Sequence, residues 1–134
     1  IDIQTDFSSN STVFEADLLV TDWSGIAYEY AFTTKKPVLF VDTPMKVMNP
    51  EYQKIDTVPI NIWMGDVIGD LLDPAKTEET ESKVRNLLEQ KDAYHDRIEK
   101  FVEEYVYNLG NSAEVGAKYI VQAVQEQIKK AKEQ

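Results

Sequence analysis

The chain has no cysteine and a single histidine. The first absence removes disulfides and thiolate chemistry, and the second leaves His95 unable to build a histidine metal site. No apolar stretch approaches the roughly 18 residues of a membrane-spanning helix, and no basic–apolar secretion signal opens the chain. Positive charge is also scarce: 14 Lys and Arg stand against 24 Asp and Glu, a formal net charge of -10. That balance argues against nucleic-acid binding through a basic surface. Internal repeats and low-complexity segments are lacking as well. What remains reads as one soluble domain spanning residues 1–134, long enough to bury a core, on the reducing side of the membrane. The opening Ile1-Asp2-Ile3-Gln4-Thr5 alternates like a strand and has no start methionine, so the expectation is a piece of a longer protein.

Turning to what is present, the acids concentrate at Glu78-Glu79-Thr80-Glu81 and from Glu99 to Glu104, where solvated helix faces are expected. Lys129, Lys130 and Lys132 suit a helix end, because cations there oppose the negative end of the dipole. A first strand ending near Asp6 leads into a polar loop, Ser8-Ser9-Asn10-Ser11, and Ser11 or Thr12 starts a short segment reaching Ala16. Leu18-Leu19-Val20 and Val38-Leu39-Phe40-Val41 are apolar without alternation, the pattern of parallel strands covered on both faces. Residues 25–33 have the length of a crossover helix, closed by Lys35-Lys36-Pro37. Residues 42–53 read as loop and residues 57–64 as a weaker, edge-like strand around Pro59. Residues 65–74 are ambiguous, with a short helix at 66–72 as one reading.

From Glu78 onward the pattern is helical. Val84, Leu87 and Leu88 mark one apolar face; Tyr94, Ile98, Phe101, Val102, Tyr105, Val106 and Leu109 mark a second. Leu109-Gly110 is the expected stop, and Asn111 or Ser112 is the expected cap of a last helix. Ala117, Ile120, Val121, Val124 and Ile128 are its expected core face.

The chemistry concentrates at Thr21-Asp22-Trp23-Ser24-Gly25, a turn between a buried strand and a helix. Ligands of open α/β sheets bind at strand carboxyl ends, and free N–H groups at a helix start favour phosphate. Ser24 offers a hydroxyl and Gly25 close approach to the main chain; an ordinary serine cap followed by a glycine accounts for the pair equally well. Glu29, farther along the helix, suits ribose hydroxyls or a plain exposed position. Asn111-Ser112-Ala113-Glu114 has the spacing of a capping box and, alternatively, of a second set of anion donors. Asp22 and Asp42 end adjacent strands, where a base, a metal ligand or a loop cap are the alternatives. Trp23, Tyr28 and Trp63 suit either stacking on a base or core packing, and His95 reads as a surface residue.

These residues also resemble a known family. Residues 16–25, followed by Glu29-Tyr30-Ala31 and Lys36-Pro37-Val38-Leu39-Phe40, resemble the C-terminal domain of the CDP-glycerol glycerophosphotransferases, the teichoic-acid polymerases and primases. That family has a Thr-Asp-Tyr-Ser-Ser turn, an acid five residues after its first serine, and Lys-Pro before the next strand. Gly110-Asn111-Ser112-Ala113-Glu114 resembles its closing Gly-Asn-Ala-Ser-Glu segment. The resemblance implies an α/β, Rossmann-like three-layer domain with a parallel sheet and a helical C-terminal half, the donor-binding half of a GT-B fold. It implies Ser24 and Gly25 on the donor diphosphate, Glu29 on the ribose, Asn111 and Ser112 on phosphate, and Thr21 and Asp22 in support. It also implies glycerol phosphate transfer from CDP-glycerol to a teichoic-acid-type, membrane-linked acceptor at the cytoplasmic face; separately, no cofactor, metal or nucleic acid is expected. The catalytic base then belongs to an N-terminal GT-B half outside this chain, so the fragment binds without turnover. Four positions depart from the pattern: Trp23 replaces tyrosine, Gly25 the second serine, Leu109 an aspartate and Val115 an arginine. The first two move the turn toward the Ser-Gly-Gly style of UDP-N-acetylglucosamine 2-epimerases and UDP-sugar GT-B enzymes, and Val115 removes a cation that would neutralise phosphate. A non-catalytic protein-interaction domain is the alternative of a different class.

Overall fold

The computed structural model describes residues 3–5, 11–44 and 49–133. Helix α1 (Ser11–Glu15) leads to strand β1 (Leu19–Thr21), helix α2 (Ile26–Thr34) and strand β2 (Val38–Val41). Two short helices, α3 (Ile60–Trp63) and α4 (Gly65–Ile68), precede strand β3 (Gly69–Leu72). Helices α5 (Thr80–Glu89), α6 (Lys91–Tyr105) and α7 (Ser112–Lys132) complete the described chain. Its contacts divide it into two compact units, Ile1–Val102 and Glu103–Gln134.

The first unit is built on a parallel sheet of order β1-β2-β3. Leu19 lies opposite Val38 and Thr21 opposite Phe40; Val38 in turn faces Gly69 and Val41 faces Leu72. The central strand explains its own composition. Val38, Leu39 and Phe40 are all fully buried, so both faces require apolar side chains and alternation disappears. Ala27, Tyr30 and Ala31 from α2, Met64 and Ile68, Leu72 from β3, Leu87 from α5, and Tyr94, Ile98, Phe101 and Val102 from α6 join them in the core. Phe32 stacks on Phe101 at 5.9 Å, and Trp63 meets the same ring edge-on at 5.6 Å.

Lys36 gains a structural role at the amino end of the sheet. Its ammonium donates to the Ala16 carbonyl at 2.7 Å, which the Tyr30 hydroxyl also reaches at 2.8 Å. Two side chains thus satisfy the carbonyl where α1 turns into β1. At the carboxyl end of α2, just before Lys36, Lys35 adopts the left-handed conformation (φ 58°), donates its N–H to Ala31 at 2.9 Å and bonds Phe32 through its ammonium. The helix is therefore ended by a left-handed cap one residue before Lys36-Pro37, and the proline only follows it.

Several sequence expectations are corrected. Residues 3–5 are exposed and lie in no strand; Ile1, Asp2, Asp6 and Ser8-Ser9-Asn10 lie outside the described residues. The strand expected at residues 57–64 is α3, because Pro59 takes φ -58° and ψ 140° and starts a helical turn at Ile60. The third strand is β3, in the segment where a helix was one reading; the helix is confined to α4. Helix α6 stops at Tyr105, before the expected Leu109-Gly110, and the left-handed Asn108 and Gly110 form the turn that follows. In the second unit, α7 bears the expected apolar stripe, but none of its residues is buried. Helical periodicity tells which residues share a face, not whether anything covers that face.

Candidate functional site

Because the three strands are parallel, Thr21, Val41 and Leu72 all end at the same edge of the sheet. The turn of residues 22–25 leaves β1 there, and residues 42–44 leave β2 beside it. The two loops are joined. The Trp23 indole N–H donates to the Thr43 carbonyl at 2.9 Å, and its ring stacks on Phe40 at 5.9 Å with 27° between planes. The Asp42 N–H donates to Leu72 at 2.9 Å and Thr43 N–H to Val41 at 2.8 Å, which ties the second loop to β3 and to its own strand.

Gly25, not Ser24, occupies the cap position of α2, and no side chain caps the helix. The Ser24 carbonyl accepts from Ala27 at 3.2 Å and the Gly25 carbonyl from Tyr28 at 3.1 Å and Glu29 at 3.4 Å. Among the described residues, the Gly25 and Ile26 N–H groups donate to no backbone carbonyl. They are the ordinary orphan donors of a helix start, and they point away from the helix, at the positive end of its dipole. Gly25 itself has φ -58° and ψ -25°, and a Cβ there would meet nothing within 4 Å. The fold therefore gives no reason for a glycine at this position.

Thr21 ends β1 and is partly buried, Ser24 likewise, whereas Asp22, Gly25 and Glu29 are exposed. Glu29 sits four residues past Gly25, about 6 Å along the helix axis at 1.5 Å per residue. These five residues share β1, its turn and α2. Asn111 and Ser112 begin α7 in the other unit and are exposed. Asn111 is the cap residue, but the capping box does not form: Glu114 pairs forward with Lys118 at 2.6 Å, so its carboxylate does not reach back. The Asn111 N–H instead donates to Asn108 at 3.1 Å.

The aromatic residues act as packing. Besides Trp23 on Phe40, Tyr28 lies 6.5 Å from Phe32 and donates its hydroxyl to the Asn61 carbonyl at 3.1 Å, and burial raises its phenol pKa. Asp42 is exposed, and Asp73, after β3, accepts the Ala75 N–H at 2.9 Å in a turn of its own. His95 is half exposed with Asp96 beside it at 3.6 Å. Among the described residues no three His, Cys, Asp or Glu side chains gather as a metal site would require. A groove of about 340 Å³ is lined by Tyr52, Ile55, Val58 and Ile62 among others, and by none of the residues expected to bind nucleotide. Sequence reasoning missed Thr43, whose contribution is a carbonyl and so leaves no mark on residue type. The signal available was Trp23 itself, since a partly buried indole N–H needs an acceptor.

No helix among the described residues is long and apolar enough to cross a membrane. Neither curated proteins nor solved structures give a match to this chain. A family model does: that of the CDP-glycerol:poly(glycerophosphate) glycerophosphotransferases aligns with residues 1–124. It takes in the β1–α2–β2 unit, the Trp23–Ser24–Gly25 turn and the start of α7. With 124 of its 134 residues matched, this chain belongs to that family of transferases.

Proposed function

We propose that the chain is the donor-binding half of a GT-B-type glycerophosphotransferase. The observation that carries this reading is the family match together with an uncapped helix start at the carboxyl edge of a parallel sheet. The diphosphate of CDP-glycerol accepts hydrogen bonds from the N–H groups of Gly25 and Ile26 and from the Ser24 hydroxyl. The helix dipole adds about 0.3–1 kcal/mol for each nearby negative charge. Glu29, farther along α2, accepts from the ribose hydroxyls, and Thr21 and Asp22 support the turn. In the other unit, Asn111 and Ser112 are proposed phosphate ligands, on the segment that resembles the family's Gly-Asn-Ala-Ser-Glu. An acceptor hydroxyl attacks the glycerol-side phosphorus, the bond to CMP breaks, and CMP leaves. The hydroxyl proton goes to a base on a second GT-B half. The acceptor in this reading is a teichoic-acid-type polymer at the cytoplasmic membrane face.

A UDP-sugar donor is the second reading, favoured by Trp23 and Gly25 where the family has tyrosine and serine. Amide-resolved NMR with CDP-glycerol and then a UDP-sugar separates the two. The expected result is perturbation at Ser24 to Glu29 and at Asn111 and Ser112, stronger with CDP-glycerol. Because a side chain at residue 25 meets open space, Gly25→Val should keep the folded spectrum and lose the binding. A folded parent chain that shows no shift with either donor at millimolar concentration would sink the nucleotide assignment.

A further inference from the structure

We propose that Trp23 is a positioning residue for donor binding: its indole holds the Ser24-Gly25 turn in the shape that receives a nucleotide diphosphate. The inference rests on the nucleotide reading above and assigns a new role within it. The turn has few restraints of its own. No side chain caps α2, Gly25 is exposed, and space around it is open. Trp23 supplies what is missing, because it immediately precedes Ser24 and is held from two sides. Its ring lies against the fully buried Phe40 of β2, and its N–H is fixed on the Thr43 carbonyl at 2.9 Å. The acceptor is itself held, since Thr43 N–H bonds Val41 and Asp42 N–H bonds Leu72. A continuous path of contacts thus runs from the end of β3, through the loop after β2, to the residue next to the proposed phosphate donors.

The consequence for binding is preorganisation. A turn already ordered in the free protein loses little entropy when the ligand arrives, whereas a loosened one must be ordered at the ligand's expense. Trp23→Phe separates the parts, keeping a ring for Phe40 while deleting the N–H that donates to the Thr43 carbonyl. Two readouts on the 134-residue chain test the role. Hydrogen exchange in the free protein should speed up at Ala27, Tyr28 and Glu29, whose N–H groups bond the Ser24 and Gly25 carbonyls, while Val38 to Phe40 stay protected. Titration with CDP-glycerol should show a dissociation constant raised about five- to tenfold, the loss of one part-buried hydrogen bond. A merely structural Trp23 would lower the melting temperature and leave the affinity of the folded chain unchanged. If the parent binds and Trp23→Phe binds equally well, or if exchange at residues 27–29 does not change, the positioning role is overturned and the nucleotide site stands. If the parent itself does not bind, the nucleotide reading fails and takes this role with it.

Discussion

At the scale of single residues, the most consequential buried polar group is the Tyr30 hydroxyl. Burial, helped by the nearby Asp17 charge and opposed by a hydrogen bond with Thr34, pushes its pKa from 10.0 up to about 12. An unfolded Tyr30 ionises near pH 10, while the folded chain keeps the proton until about 12. Across that window the unfolded state binds fewer protons, so stability is fully present below pH 10 and is lost as pH rises through 12. The loss should be of order 2 kcal/mol. Urea denaturation at pH 8, 10 and 11.5 measures it. Tyr30→Phe should flatten the alkaline decline while costing about 1 kcal/mol at pH 8, the bond to Ala16. Single residues also show where a sequence stops being readable. Glu114 has the spacing for a box with Asn111, yet Lys118 one turn onward competes for the same carboxylate and wins. Gly25 reads in the sequence as a turn glycine or as one that admits a ligand to the main chain; its angles are ordinary helical ones and a Cβ would meet open space, so the fold itself does not require it.

At the scale of elements, the strand pair β2–β3 turns on one atom that is missing. A Cβ on Gly69 would stand 1.8 Å from the Val38 carbonyl oxygen, a clash with backbone that no rotamer relieves. Gly69→Ala should therefore cost 3 kcal/mol or more, above the ~1–3 kcal/mol typical of overpacking, or abolish folding. Thermal melts compared with Gly65→Ala, where the Cβ meets nothing within 4 Å, give the control. An equal effect at both positions would refute the clash. The same contact explains why β3 was hard to see in the sequence. Gly69-Asp70 has neither β-branching nor an apolar run, and its strand character comes from the neighbour it lies against. By contrast the positions of β1, α2 and β2 were legible, because burial of Val38, Leu39 and Phe40 forces the composition of β2 and a helix must fit between two parallel strands. Strand β1, however, is not covered on both faces as expected, since Val20 is exposed. Residues 57–64 misled for a local reason: alternation around Pro59 mimicked a strand, while the proline's fixed φ began a helix.

On the scale of the whole chain, charge sets the terms of encounter with a ligand. A formal net charge of -10 repels an anionic nucleotide at long range, whereas the orphan N–H groups of α2 attract it only nearby. Salt at about 0.15 M shortens the screening length to roughly 8 Å and removes mainly the distant repulsion. The association rate for CDP-glycerol, measured by stopped-flow mixing, should therefore rise between low and physiological salt. A falling rate would mean that local attraction governs the approach. The sheet's order has a separate consequence, for assembly. Its strands lie side by side in the order in which the chain is made, so each new strand docks on one already in place. The carbonyl that receives Trp23 comes only two residues after β2. Closing the turn between β1 and α2 thus needs no residue beyond 43, and it can precede the docking of β3.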